Sequence, residues 1–199
     1  MMAVADILLT PASIWYAPVG ETLPDENTVD FGDDWGGNWA DLGYTLQPLS
    51  CNLTKELFKL FVEQLTNPVK KKYTSEEVVF ETTLAELTGT NMQLAFDGTI
   101  TETPASAIQV GMTEMEMGGD VTPKLYAFGF EGEYVDDDNV SFPVRILAYR
   151  ATPVLGGQLQ FAKAAAVGIP IRVELEADTT KDPGKQMMLW QKVHTAAGS

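Results

Sequence analysis

Strict two-residue alternation recurs along this chain, and it limits the fold more than any other feature. Val78, Phe80, Thr82 and Leu84 alternate with Glu77, Glu81 and Thr83, with Val79 as the exception. Met115 and Met117 alternate with Glu114 and Glu116, and Tyr126, Phe128, Phe130 and Tyr134 with Glu131 and Glu133. Ile171, Val173 and Leu175 alternate with Arg172, Glu174 and Glu176. A period of two places successive side chains on opposite faces of a strand, so each segment reads as a strand with one apolar and one largely acidic face.

The remaining segments fit a mainly β chain. Ile14 to Val19 reads as a first strand, Phe142 to Tyr149 as a central one because only Arg145 interrupts its apolar character, and Gln186 to Val193 as the last. Residues 20–38 hold Pro24, four glycines and six acids and read as a long surface loop, with Trp35 and Trp39 anchoring its end onto a core rather than meeting a partner subunit. Leu53, Leu57, Leu60, Phe61 and Leu65 fall on one helical face, whereas Asn67-Pro68 and Lys70-Lys71-Lys72 suit the turn and return of an exposed hairpin. The best helix runs from Leu84 to Phe96, with a capping box at Thr83 and Glu86 and a stop at Asp97-Gly98; Gly89 also allows a shorter helix capped by Thr88. The expected fold is therefore a sandwich or partly closed barrel of two antiparallel sheets with one flanking helix. At 199 residues it forms a single domain, with an N-terminal arm (1–12), an acidic loop (20–38) and a long hairpin (53–75).

Enzymatic chemistry finds little footing. The single histidine, His194, lies near the end, and one Cys with one His gives no zinc set. Asp136-Asp137-Asp138-Asn139 lacks the spacing of a calcium loop and reads as a solvated turn, and no phosphate-cradling glycine motif occurs. Met112, Met115 and Met117 read as core filling, and Cys51 as a small strand residue facing an interior in a reducing compartment. No apolar run is long enough for a membrane helix, and Ile7-Leu8-Leu9, preceded by Asp6 and followed by Pro11, does not read as a secretory signal. The net charge of −15 makes the chain a poor grip for nucleic acid, although it could surround DNA without binding it.

Trp39-Ala-Asp-Leu-Gly-Tyr-Thr is followed by Phe61-Val-Glu-Gln, by Pro68-Val69 and by Val79-Phe-Glu-Thr-Thr-Leu-Ala-Glu-Leu. In order and spacing this resembles the major tail tube proteins of long-tailed bacteriophages, in which a W-x-x-L-G-Y-T element precedes a V-D-Q-like strand, a P-V turn and a strand closing on F-T-L-A-E before a helix. The resemblance covers Trp39 to Phe96 and the rest only by general layout. It implies that Phe58 to Gln64 lie on a strand and that Thr66 to Tyr73 form a turn and return strand. It further implies a virion building block, assembled in the host cytoplasm, whose hexameric rings stack into a tube for genome delivery. Its partners would be its own copies and the tail terminator, tape measure and baseplate proteins. DNA would pass without specific binding, and no membrane insertion or cofactor is involved.

On this reading Glu77, Glu81, Glu114, Glu116, Glu131, Glu133, Glu174 and Glu176 are candidates for an acidic lumen, or else they keep a β protein soluble. Ile7, Leu8, Leu9, Lys70, Lys71 and Lys72 are candidates for contacts between rings, the lysines meeting acids of a neighbour such as those of the 20–38 loop. Rival readings are a capsid decoration or carbohydrate-binding β-sandwich, a secretion-system tube protein, and an acid-dependent hydrolase.

Overall fold

The computed structural model describes residues 10–119, 122–136, 139–163 and 165–195. Its strands in chain order are β1 (Ser13–Pro18), β2 (Ala40–Asp41), β3 (Ser50–Leu60), β4 (Lys70–Leu84), β5 (Thr99–Thr103), β6 (Met112–Glu116), β7 (Tyr126–Val135), β8 (Ser141–Leu155), β9 (Ile169–Leu175) and β10 (Met188–Lys192). One helix, α1 (Gly89–Phe96), lies between β4 and β5. The main sheet runs β2-β1-β7-β8-β9-β4-β3, all antiparallel, with β10 added on β8; β5 and β6 form a separate antiparallel pair. The chain is thus mainly β, with two antiparallel sheets and a flanking helix, and the large sheet does not close into a barrel.

The large sheet bends because β8 changes partner along its length. Residues 144–148 pair with β10, and residues 151–155 pair with β9. The bend brings β4 over β7, with two strands between them in the sheet order, so that the Phe80 and Phe130 rings stack with centroids 4.3 Å apart. Ile14, Leu84, Phe128, Ile171 and Val173 fill the enclosed space, and Leu94 and Ala95 of α1 pack against it. The alternation of β4 and β9 follows expectation, with Val78, Phe80, Thr82 and Leu84 buried from one and Ile169, Ile171, Val173 and Leu175 from the other.

The helix is the shorter of the two expected. Thr88 Oγ1 accepts from Asn91 N at 3.1 Å, and Asp97, in the left-handed region at φ 52, ends it. Leu84 remains strand, and Glu86 caps nothing; its carboxylate accepts instead from Tyr44 N at 3.2 Å. The Trp39–Thr45 and Thr83–Glu86 motif segments thereby meet: Leu46 N donates to Thr83 O and Ala85 N to Tyr44 O, each at 2.7 Å. Gly43 sits at φ 81, and a Cβ there would overlap the Glu86 carboxylate, which accounts for glycine at this point of the motif. Buried Asn91 ties the helix to the same place, donating to Leu42 O at 3.1 Å and Glu86 O at 2.9 Å.

Strand β7 departs from its sequence pattern. Phe128 and Phe130 face the main core, but the opposite face is covered as well, by the returning 20–38 loop. Trp35 stacks on Trp15 at 5.2 Å and meets Trp39 edge-on at 5.1 Å, and Trp39 Nε1 donates to Thr22 O at 2.8 Å. Gly129 lies under Trp35 so closely that a Cβ would overlap the indole. The expected anchoring by both tryptophans is what the fold uses.

Glu131, expected on an exposed acidic face, is instead fully buried beneath this loop. Arg145, opposite it on β8, provides the compensation: Nε lies 2.9 Å from Glu131 Oε1, while Nη2 donates to Val29 O at 2.7 Å. Gly32 N donates to the second carboxylate oxygen at 3.2 Å. An unpaired carboxylate could not be held there, so the pair and the loop that seals it form one unit.

Candidate functional site

Strands β3 and β4 extend beyond the body as a hairpin. Every residue of β3 is exposed, and β4 becomes buried only from Val78 onward, where β9 flanks it. The ambiguous Leu53–Leu65 stretch is therefore strand to Leu60 and turn beyond it, so that Phe61 to Gln64 lie in the turn and not on a strand. Val69 N donates to Leu60 O at 2.9 Å and closes the turn.

Cross-strand pairing sets the hairpin's two faces. Leu53 opposes Val78, Lys55 opposes Glu76 and, past a bulge at Glu56/Leu57, Leu57 opposes Tyr73; the other face pairs Phe58 with Lys72 and Leu60 with Lys70. Lys55 makes an ion pair with Glu76 at 2.8 Å, which raises its amine above the ordinary lysine range, and it also sits over the Tyr73 ring at 5.4 Å. Lys59 and Lys71 oppose each other directly, a destabilising like-charge pair. Leu53, Phe58, Phe61, Leu65 and Tyr73 are all more than half exposed. Cys51, expected to face an interior, is exposed at the root of this arm.

The acidic candidates divide by location. Glu77 and Glu81 of β4 and Glu174 of β9 converge on Arg172, at 3.4, 3.9 and 2.9 Å respectively, on the face of the sheet opposite the main core. Glu176 continues the patch, lying 3.9 Å from Arg150 and accepting from Thr152 Oγ1 at 3.3 Å. Three carboxylates around one guanidinium leave a net −2, and pairs this exposed contribute little to stability. Glu114 and Glu116 are exposed but lie on the separate β5–β6 pair, and Glu133, half-buried, accepts from Ser141 Oγ at 2.6 Å. Ile7, Leu8 and Leu9 lie outside the described residues.

Sequence reasoning missed three features: the organising role of Arg172, the burial of Arg145, and the apolar tip between β5 and β6. Of the three methionines expected as core filling, Met112 and Met117 are exposed and only Met115 packs beneath the helix end, close to Gly98. The alternation that flanks the arginines was visible, but an isolated cation among acids gives no sign of which carboxylates surround it. His194 is exposed, with Nδ1 3.1 Å from Thr195 Oγ1, and among the described residues no group of three His, Cys, Asp or Glu side chains could hold a metal ion. Among the same residues, no helix is long and apolar enough to cross a membrane. The chain matches no protein-family model and no curated protein.

Proposed function

We propose that this chain is a self-assembling structural protein of the tail tube type: hexameric rings stack into the tail tube of a bacteriophage virion, and the genome passes through it to the host. The observation that carries this reading is the β3–β4 hairpin. A two-stranded hairpin is marginal in water without further packing, and this one exposes leucines and phenylalanines on both faces together with a long unpaired β3 edge. Such an arm gains stability when neighbouring copies cover it, and a closed ring removes the lateral edges. The contact between the Trp39–Thr45 and Thr83–Glu86 segments supports the same reading, because two of the motif segments that carry the resemblance pack against each other.

On this reading the protein is not an enzyme. Its partners are further copies of itself and the terminator, tape measure and baseplate proteins of the tail, and DNA passes unbound. Electron microscopy of the purified protein at high concentration is the decisive test. Stacked six-fold rings are expected; a small oligomer that never polymerises would favour a capsid decoration or carbohydrate-binding sandwich and overturn the proposal.

A further inference from the structure

Two arms leave the body with opposite charge and matching apolar character. From Lys55 to Tyr73 the β3–β4 hairpin holds five lysines and two glutamates, a net +3. Lys59, Lys70, Lys71 and Lys72 have no ion-pair partner among the described residues. The β5–β6 arm, from Thr99 to Met117, holds Glu102, Glu114 and Glu116 and no base, a net −3, and these acids are likewise unpaired among the described residues. Its connecting loop carries Ile108, 99% exposed, and Val110, 73% exposed, so no described residue of the same copy covers them.

We infer that the basic hairpin of one copy docks on the acidic β5–β6 arm of the next. Charge alone would equally admit the 20–38 loop, with its six acids and no base. Exposed apolar surface decides between them: Trp35 is buried, Leu23 and Val29 pack in the tryptophan layer, Phe31 is half-buried, and none of the loop's large apolar side chains is as exposed as Ile108 or Val110. Those two offer the hairpin's leucines and phenylalanines a counterpart. The contact joins unlike surfaces, so each copy gives one arm and receives the other, and the interaction propagates around a ring or along a stack. The direct opposition of Lys59 and Lys71 is relieved when carboxylates arrive between them.

This inference rests on the self-assembly proposed above, and charge reversal separates the two. Lys70→Glu, Lys71→Glu and Lys72→Glu together should raise the protein concentration needed for assembly about tenfold or more at low salt. The combined Glu102→Lys, Glu114→Lys and Glu116→Lys variant should do the same, and an equimolar mixture of the two variants should assemble by alternation, because the reversed hairpin of one meets the reversed arm of the other. Placing both triple changes in one chain restores complementarity and should restore assembly. Independently, in a Cys51→Ser background, a Leu60→Cys chain mixed with a Val110→Cys chain should form an intermolecular disulfide under mild oxidation. Tubes from the parent chain without reversal defect, rescue or cross-link would overturn this interface and leave the tube reading standing. A cross-link in a parent chain that forms no tubes would do the opposite.

Discussion

Arg145 and Glu131 concentrate more consequence in two side chains than any other pair in the protein. Both are essentially unexposed, and together they hold the Val29 carbonyl and the Gly32 amide of the acidic loop. The Arg145 guanidinium also lies 5.4 Å from the Trp35 ring, so it spans the loop and the sheet. Arg145→Ala leaves a buried carboxylate without its cation and is expected to cost about 3–5 kcal/mol. Urea denaturation followed by tryptophan fluorescence measures this directly. Glu131→Leu with Arg145→Met should recover most of the loss, because no unpaired charge then remains; an Arg145→Ala midpoint equal to the parent's would show that the clamp does not hold the loop. Alternation made Glu131 look exposed, since a period of two reports that two faces differ and not that a distant loop covers the second. Cys51 misled in the reverse sense, because a small apolar residue on a strand reads as inward whether or not another layer lies over it. Partial burial raises its thiol above the ordinary cysteine range. Its alkylation by iodoacetamide should therefore be slower than that of a free cysteine at neutral pH and approach it as the solution becomes more alkaline, and a rate equal to free cysteine throughout would contradict that assignment.

Among the elements, those whose pattern is local were legible and those defined by distant partners were not. The β4 and β9 alternations and the Asn67-Pro68 turn each depend on neighbouring residues and appear where the sequence places them, and the helix takes the Thr88 cap that the sequence offered as the alternative to Thr83. The Leu53–Leu65 stretch carried a helical period because its leucines lie on both faces of a projecting arm, a distribution that no single core imposes. The β5–β6 tip was missed for the same reason, since apolar residues in a turn resemble core residues until the fold leaves them outside. Because β4 from Val78 onward is held by β9, the distal hairpin is dispensable for folding. Replacing residues 57–74 by Asn-Gly joins Glu56 to Ser75, which are already paired, through a turn suited to two-residue hairpins. The truncated chain should keep its far-ultraviolet circular dichroism and urea midpoint while losing assembly by sedimentation and microscopy. Wild-type tube yield from the truncated chain would remove the hairpin from the assembly mechanism.

For the whole molecule, charge is the property that the proposed tube must reconcile with passage of DNA. In the proposed tube, six copies of a chain at −15 would carry −90 per ring, facing a duplex with one negative charge per about 1.7 Å. At physiological salt the field reaches only about 8 Å, so repulsion acts where the duplex would otherwise touch the wall. The eight candidate acids do not share that wall. Glu131 is interior, Glu133 is engaged by Ser141, and Glu114 and Glu116 belong to the proposed contact between copies. The continuous acidic surface is Glu77, Glu81, Glu174 and Glu176, moderated by Arg172 and Arg150. If this surface lines the tube, Glu77→Lys with Glu81→Lys changes each subunit by four charge units and sets two ammonium groups beside Arg172, a cluster able to hold phosphates. The core side of β4 is untouched, so tubes should form normally. DNA ejection from particles built with this variant should slow or stall, and added salt should partly restore it, because weaker phosphate contacts release the duplex. Normal ejection kinetics from fully assembled variant particles would place the β4–β9 acids on the outer surface, where their role reduces to solubility.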